Sequence, residues 1–339
     1  MSGQGSSTIR VVSTMRFDGD WLADVAGADP RIEITQHAAD SAEELPPDLL
    51  ATAEILYTSS CLPSAEAAPR LRFVQLDTSG ADHVVGTPLW ARRDVAMASL
   101  GGISPRPMAG YVLGMILGFA YHLPELGAGQ RALEWPTPQE RWSRYMPRRL
   151  DGATLVVVGY GRLGLAVGEA ARAFGLRVVG VRRGGTRPGK RVGEHDAPDA
   201  VEVVDRDRLL EVLARADYVV VTLPLTAETR NLLDRIAIAA IRRGAFLVNV
   251  SRGGVVDEAA LLDALDDGHL AGVASDVFDE EPLPRTSRLW RHPHSIVTPH
   301  VAGFAPDYRE RVRDLFRENL GRYAQGRELL NLIDRRIGY

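Results

Sequence analysis

Cysteine, lysine and long apolar runs are nearly missing from this chain of 339 residues. The single cysteine, Cys61, excludes an internal disulfide and fits a reducing compartment, so we expect a cytoplasmic protein. Lys190 is the only lysine, and arginine supplies almost all of the positive charge. The longest apolar run, Met108–Leu123, contains three glycines and is short for a bilayer span. It predicts a buried helix and no membrane partner.

Bulk composition is that of a soluble globular chain. Charged residues make up 25% and hydrophobic residues 45%, and the length suffices for two domains. A formal net charge of −4 gives no reason to expect a nucleic-acid partner. The polar, glycine-rich stretch 1–7 is unlike a signal peptide and predicts a frayed end.

Short β-rich runs alternate with helical patterns, which is typical of parallel sheets with crossover helices. The first series has strands near Ile9–Thr14, Ile32–Thr35, Glu54–Thr58, Arg72–Leu76 and Val95–Ala98. The second has strands near Leu155–Val158, Arg177–Val181, Tyr218–Thr222, Phe246–Val250, Gly272–Val277 and Ser295–Thr298.

Clustered glycine and proline in Gly101–Pro107 predict a hinge between the two series. An amphipathic helix near Asp307–Gln325 would return the chain to the first domain. We therefore expect an α/β protein with two doubly wound parallel-sheet domains. A flavodoxin-like substrate domain would comprise residues 1–104 and 304–339, and a Rossmann nucleotide domain would comprise residues 105–303.

The segment Gly159-Tyr-Gly-Arg-Leu-Gly164 has the glycine spacing of a dinucleotide-binding turn. Such glycines let the backbone approach a pyrophosphate, whose charge the next helix N-terminus stabilises. The spacing alone is a weak signal, because an ordinary glycine turn can match it. Here it follows an apolar strand and opens a helical pattern, and a second strand ends at Val181. That context predicts a dinucleotide site.

The end of this second strand distinguishes the two nicotinamide nucleotides. A carboxylate there would bind the adenosine ribose of NAD, but this chain has Arg182 and Arg183, with Arg187 and Lys190 close behind. Guanidinium groups suit a 2′-phosphate. We expect NADP(H) to be preferred, with NAD(H) possible if the arginines are only a solvated pair in a loop.

Three later segments each place one charged or titratable side chain at an expected strand end: Arg252, Glu281 and His300. A planar guanidinium can hold a carboxylate through two hydrogen bonds. An imidazole can exchange a proton with the neighbouring oxygen, and a carboxylate beside it would orient the ring and attract its positive charge. Together they indicate hydride transfer on a 2-oxo or 2-hydroxy acid.

At these residues the chain resembles the D-isomer-specific 2-hydroxyacid dehydrogenases, the family of phosphoglycerate dehydrogenase and glyoxylate/hydroxypyruvate reductases. The matching segments, in order along nearly the whole chain, are Gly159–Gly164, Val221–Thr229, Asn249–Glu258, Gly272–Pro284 and Thr298–Gly303. The resemblance implies that the family's catalytic arginine, glutamate and histidine are Arg252, Glu281 and His300.

The resemblance also implies the ligand contacts. Cofactor contacts fall on Gly159, Gly161, Arg162, Leu163, Gly164, Arg182, Arg183, Leu223, Pro224, Thr229, Val250, Ser251, Arg252, Asp276, His300 and Gly303. Of these, Asp276 would contact the nicotinamide amide. Backbone amides of the turn at Ser79 and Gly80, together with Arg252, would bind the substrate carboxylate.

Residues that differ from those of other family members reduce the range of expected substrates. Gly110 stands where many members have glutamate, and Arg182 replaces a common aspartate. Formate dehydrogenases of this fold have glutamine where this chain has Glu281, and phosphite dehydrogenase has lysine near Ser79. Formate and phosphite are therefore disfavoured.

Four further residues bear on metal binding and on assembly. His292 and His294 lack the carboxylate or cysteine pattern of a metal site, so we expect no metal. Trp135 and Trp142 lie in a stretch that helps to build a dimer in the resembling family, so we expect a homodimer.

The favoured activity is an NADPH-dependent 2-oxo acid reductase of the glyoxylate/hydroxypyruvate type. A nucleotide-sensing corepressor that retains the fold is the alternative.

Overall fold

The computed structural model describes residues 8–184 and 201–339. The predicted frayed end, residues 1–7, lies outside the described residues, as do Arg187 and Lys190. The chain divides into two compact units. The first unit comprises Met1–Ile103 and Pro306–Tyr339, and the second comprises Ser104–Ala305.

The first unit is built on a five-stranded parallel sheet with the order β2-β1-β3-β4-β5. Its strands are β1 (Ile9–Ser13), β2 (Ile32–Gln36), β3 (Ile55–Thr58), β4 (Phe73–Leu76) and β5 (Ala96–Ala98). Its helices are α1 (Gly19–Ala26), α2 (Pro47–Thr52), α3 (Pro88–Ala91) and α11 (Tyr308–Ala324). Every residue of β3 and β4 is buried, because side chains cover both faces of the sheet centre.

The C-terminal residues protect one edge of this sheet. Leu332 forms an antiparallel bridge with Ala98 of β5. The Ile333 N–H donates to the Met97 carbonyl at 2.9 Å, and the Ser99 N–H donates to the Asn331 carbonyl at 3.1 Å. These bonds satisfy backbone groups that an edge strand would otherwise expose.

The second unit is built on a seven-stranded parallel sheet with the order β12-β11-β10-β9-β6-β7-β8. Its strands are β6 (Thr154–Val158), β7 (Arg177–Val181), β8 (Glu202–Val204), β9 (Tyr218–Val221), β10 (Phe246–Asn249), β11 (Gly272–Ser275) and β12 (Ser295–Val297). Its helices are α4 (Pro105–Ala120), α5 (Leu123–Arg131), α6 (Pro138–Arg144), α7 (Arg162–Arg172), α8 (Leu209–Leu213), α9 (Arg235–Ala240) and α10 (Glu258–Asp266). The strand order reverses between β6 and β9, which is the switch point where doubly wound sheets bind ligands.

The predicted fold class, two doubly wound parallel sheets, is confirmed. Strand β8 was not predicted, and the helix expected over Met108–Leu123 ends at Ala120 instead. It ends there because His122 adopts a left-handed backbone, with φ of 55°, and the next helix begins at Leu123 with Pro124 in its first turn. In the described part of the chain, no helix combines the length and apolar character needed to cross a bilayer.

Candidate active site

Three neighbouring strands bring the predicted catalytic residues to one edge of the seven-stranded sheet. Asn249, the last residue of β10, pairs with Ser275, the last of β11, and Ser275 pairs with Val297, the last of β12. Because the strands are parallel, the three loops that follow them begin side by side. These loops carry Arg252, Glu281 and His300.

His300 and Glu281 form a direct pair. The imidazole Nδ1 of His300 lies 2.8 Å from Oε2 of Glu281, while Oε1 accepts the Phe278 N–H at 3.0 Å. The His300 side chain is 49% exposed, and its Nε2 has no hydrogen-bond partner among the described residues. With an ionised Glu281 the Nδ1 atom carries a proton, so Nε2 is the ring atom left to exchange one with a substrate. The pairing is with Glu281 and not with its neighbour Glu280.

The loop that carries His300 is held by the buried carboxylate of Asp276. Its Oδ1 accepts the Thr298 hydroxyl at 2.6 Å and the Val301 N–H at 2.9 Å, and its Oδ2 accepts the Ala302 N–H at 2.8 Å. The His300 N–H donates to the backbone carbonyl of Asp276 at 3.0 Å. Both oxygens of a residue expected only to contact nicotinamide are thus engaged in shaping the loop.

This bracing supports an unfavourable backbone conformation. His300 has φ of 53°, in the left-handed region that non-glycine residues adopt at an energetic cost of about 1 kcal/mol or more. A loop held by three hydrogen bonds to one carboxylate can maintain such a conformation. The side chain of His300 is thereby directed to Glu281.

Tyr111 of α4 extends the same network. Its hydroxyl is hydrogen-bonded to the hydroxyl of Thr298. Burial raises the pKa of the Tyr111 phenol, so it remains neutral and able to donate. Neither Tyr111 nor Thr298 was identified as functional from the sequence, although Thr298 lies two residues before His300.

The Arg252 loop is ordered by its own polar contacts and packs on the Glu281 loop. Oδ1 of Asn249 accepts the Ser251 hydroxyl at 2.6 Å, and Nη1 of Arg252 donates to the Ser251 carbonyl at 2.9 Å. A Cβ atom at Gly253 would overlap the backbone of Phe278 and Asp279. Only glycine permits this approach, which brings the loops of Arg252 and Glu281 into contact.

The fingerprint glycines have the geometry that a pyrophosphate cradle requires. Gly159 has φ of 108°, and a Cβ there would lie 2.9 Å from Thr222. A Cβ at Gly164 would lie 2.5 Å from the Gly159 carbonyl oxygen, whereas the space beside Gly161 is open. These are the three roles of the motif: a tight turn, room for the pyrophosphate and close helix packing. Arg162 and Leu163 open helix α7, and the N-terminus of a helix is a position that favours the binding of an anion.

The arginines after β7 also fit a phosphorylated nucleotide. Nη1 of Arg182 is buried and has no hydrogen-bond partner among the described residues. A buried guanidinium donor without an acceptor can donate a hydrogen bond to an anionic group of a ligand. Arg183 instead forms an ion pair with Glu228 at 2.5 Å.

The remaining predicted nucleotide residues lie on the same edge of the sheet. Leu223 and Pro224 follow β9 directly. The Thr229 hydroxyl donates to the Pro224 carbonyl at 2.6 Å and accepts the Thr226 N–H at 2.8 Å, so it shapes this turn from within. Val250 follows β10, and Gly303 ends the segment after His300.

Ser79 and Gly80 belong to the first unit, in the turn that follows β4. The Thr78 hydroxyl donates to the Gly80 carbonyl at 2.7 Å and fixes the turn. The amides of Ser79 and Gly80 donate to no other described residue, so the turn offers two N–H groups to an anion.

The other residues considered in the sequence take structural positions. Cys61 is fully buried, and its Sγ contacts the Ala39 carbonyl at 3.2 Å. His292 lies 3.7 Å from the carboxylate of Asp266. Across residues 8–184 and 201–339, no three His, Cys, Asp or Glu side chains are grouped so as to hold a metal ion.

Comparison with known proteins decides the family. The sequence model of the D-isomer specific 2-hydroxyacid dehydrogenase NAD binding domain matches residues 113–302. A glyoxylate reductase from Korarchaeum cryptofilum is 31% identical over 277 residues, which cover 80% of this chain and 79% of that protein. The chain belongs to the D-isomer specific 2-hydroxyacid dehydrogenases. It is an oxidoreductase that acts on CH–OH donors with NAD(P).

Two solved structures of this family are similar along nearly the whole chain. A D-isomer specific 2-hydroxyacid dehydrogenase from Xanthobacter autotrophicus Py2, in complex with NADPH and MES, has a TM-score of 0.80 and 30% identity, covering 98% of this chain and 100% of that chain. An NADPH-dependent glyoxylate/hydroxypyruvate reductase from Sinorhizobium meliloti, in complex with NADP and sulfate, has a TM-score of 0.77 and 28% identity, covering 97% and 99%. The corepressor alternative receives no support from these relatives.

Proposed function

We propose that this 2-hydroxyacid dehydrogenase is an NADPH-dependent reductase of small 2-oxo acids, of the glyoxylate/hydroxypyruvate type, that forms the D-isomer where the product is chiral. The observation that carries the proposal is the His300–Glu281 pair, which leaves an accessible Nε2 at the same edge of the sheet as the fingerprint loop. The glyoxylate reductase relative and the two similar structures, one in complex with NADPH and one with NADP, support the substrate class and the cofactor.

Each residue has a chemical task in this proposal. When bound, NADPH supplies a hydride for C2 of the oxo acid. Arg252 and the amides of Ser79 and Gly80 bind the substrate carboxylate. His300 delivers the proton from Nε2 to the carbonyl oxygen, and Glu281 holds the ring through Nδ1. Oxidation of the hydroxy acid would use the same groups in reverse.

The two parts of the chain would divide this work. Residues 105–303 would bind the nucleotide, and residues 1–104 with 304–339 would bind the substrate. In the nucleotide site, Gly159, Gly161 and Gly164 would admit the pyrophosphate, and Arg182 with Arg183 would bind the adenosine 2′-phosphate. Turn residues Leu223, Pro224, Thr229, Val250, Ser251 and Gly303 would line the rest of that site.

Substrate identity is tested by following NADPH absorbance with glyoxylate, hydroxypyruvate and a series of larger 2-oxo acids. We expect the highest kcat/KM with the two small acids. Protein that binds NADPH yet oxidises it with none of these acids would contradict the proposed reaction.

Exchange of Arg182 for aspartate should reverse the nucleotide preference. Arg182→Asp replaces a guanidinium whose Nη1 has no hydrogen-bond partner among the described residues by a carboxylate that repels a 2′-phosphate and accepts a hydrogen bond from a ribose hydroxyl. We expect the NADPH/NADH ratio of kcat/KM to fall by about 100-fold, and the ratio of their dissociation constants to follow. An unchanged ratio in both measurements would rule out the phosphate contact.

We also propose a cytoplasmic homodimer. The segment around α5 and α6 exposes large apolar side chains, with Leu133 92%, Trp135 87% and Trp142 71% exposed. Exposed apolar side chains grouped in one segment are typical of an interaction surface, and a second copy of this chain would cover them.

The dimer predicts a molecular mass in solution of twice the 36.9 kDa of one chain. The double variant Trp135→Glu/Trp142→Glu should run as a monomer in light scattering, because buried carboxylates would oppose association. Ile236→Glu, which alters an exposed apolar residue on α9, is the matched control and should remain dimeric. A monomeric parent protein would disprove this assembly.

A further inference from the structure

A cluster of arginines and one glutamate lies where the nucleotide's adenosine end is proposed to bind. Arg183 follows β7, and Arg206 follows the neighbouring parallel strand β8. Glu228, from the turn after β9, contacts both: its Oε2 lies 2.5 Å from Nη2 of Arg183 and 3.7 Å from Nη1 of Arg206. Arg206 also donates to the backbone carbonyl of Glu228 at 3.2 Å.

Two arginines that share one anion resemble a phosphate-binding site, but here the anion is the carboxylate of Glu228. Guanidinium groups bind a phosphate dianion through the same kind of charged hydrogen bonds that they form with a carboxylate. All three side chains are about half exposed, so a nucleotide can reach them and the ion pairs are weak enough to exchange. Arg182 stands beside them with its buried Nη1 unpartnered among the described residues.

We propose that Glu228 is a competitor for the adenosine 2′-phosphate and that Arg206 is a third phosphate-binding cation, so that the pair sets the degree of preference for NADP(H) over NAD(H). The inference rests on the proposed NADP(H) preference and refines it. A 2′-phosphate must displace Glu228 from Arg183 and Arg206 and remain near its negative charge. A nucleotide with a 2′-hydroxyl meets no repulsion and can donate a hydrogen bond to the same carboxylate.

Two substitutions should move nucleotide selectivity in opposite directions. Glu228→Gln retains size and removes the charge, so it should tighten binding of 2′-phosphorylated nucleotides about tenfold and leave 2′-hydroxyl nucleotides unchanged or slightly weaker. Arg206→Met removes one cation and should weaken only the 2′-phosphorylated nucleotides, again about tenfold.

The chain offers a matched control for each change. Asp205, also at the end of β8, forms no ion pair among the described residues, so Asp205→Asn makes the same charge change without releasing an arginine. Arg208 is held by Glu211 at 2.5 Å, so Arg208→Met removes a nearby cation that is engaged elsewhere. Both controls should change selectivity less than twofold if contact rather than general charge is responsible.

The experiment is isothermal titration of the apo protein and the four variants with 2′,5′-ADP and with 5′-AMP. These fragments report on the phosphate site without any turnover, and thermal melting of each variant checks the fold. The expected result is a tenfold rise in the 2′,5′-ADP/5′-AMP affinity ratio for Glu228→Gln, a tenfold fall for Arg206→Met and near-parental ratios for both controls.

Different failures point to different errors. If the parent protein binds 2′,5′-ADP no more tightly than 5′-AMP, the proposed NADP(H) preference is wrong. If the parent prefers 2′,5′-ADP but the ratio of Glu228→Gln is unchanged, or falls because Arg183 needs Glu228 to hold it in place, the competitor role is wrong and the preference stands. Equal shifts in Asp205→Asn and Glu228→Gln would also overturn it.

Discussion

Replacing His300 with alanine should lower kcat about 100-fold or more while the protein still binds nucleotide. The imidazole is the proposed proton donor, and loss of a positioned acid or base usually costs about 100- to 10,000-fold. The measurement is steady-state reduction of the best small oxo acid with NADPH, paired with NADPH titration by fluorescence. Nucleotide affinity should change little, because the residue acts on the substrate oxygen.

Glu281→Gln is the companion variant. It retains the shape of the side chain but removes the charge that holds Nδ1 at 2.8 Å. We expect a loss of about tenfold in kcat, smaller than for His300→Ala, because the ring remains present but is less well oriented. A His300→Ala enzyme with kcat within threefold of the parent would eliminate the assigned proton donor.

The second large effect is expected at Asp276, whose carboxylate accepts hydrogen bonds from the residues that flank His300. In Asp276→Asn, one acceptor oxygen becomes an NH2 group that must face a donor: either the N–H of Ala302, or the N–H of Val301 and the hydroxyl of Thr298. Each buried donor left unsatisfied costs about 1–3 kcal/mol, so the loop should shift and carry His300 away from its working position. Because small misplacements can cost about 100-fold in rate, we expect a comparable loss of kcat together with a lower Tm.

Thr298→Val helps to separate two roles of Asp276, which are support of the His300 loop and contact with the nicotinamide amide. It removes one hydroxyl donor at constant shape, so it should lower stability by about 1 kcal/mol and kcat only modestly. If Asp276→Asn instead weakens NADPH binding and leaves Tm unaltered, its contact with the nicotinamide amide is the dominant role. Parental Tm, kcat and NADPH affinity in Asp276→Asn would refute both roles.

The alternation of apolar strands and helices was enough to predict both sheets, since fully buried strands such as β6 and β10 have clear apolar runs. Strand β8 was missed because it has only three residues, Glu202–Val204, too few to show a pattern. Helix α4 was placed three residues too far toward the C-terminus, and its end was missed because nothing in the sequence marks His122 as left-handed. Such local backbone choices depend on tertiary contacts that a propensity argument does not contain.

Some side-chain contacts of the candidate site could likewise be predicted from the sequence, and others could not. The sequence motifs predicted Glu281 beside His300, and the structure has that pair at hydrogen-bond distance. The role of Asp276 in holding the His300 loop could not be predicted from the sequence. Its carboxylate oxygens accept backbone N–H groups, and the residue type gives no sign of which N–H group will be bound. The contact of Arg206 with Glu228 was not predicted either. Arg206 follows β8, which lies beside β7 in the sheet, and β8 itself was not recognised in the sequence.

The left-handed backbone of His300 sets thermal stability against turnover at a single residue. Glycine adopts a φ near 53° without the steric penalty that a β-carbon brings, so folding alone would favour glycine at this position. A library screened only for heat resistance should therefore enrich replacements of His300, and only a screen that also demands reduction of substrate would retain the imidazole. Position 300 is thus where improvement by stability alone would most readily destroy the enzyme.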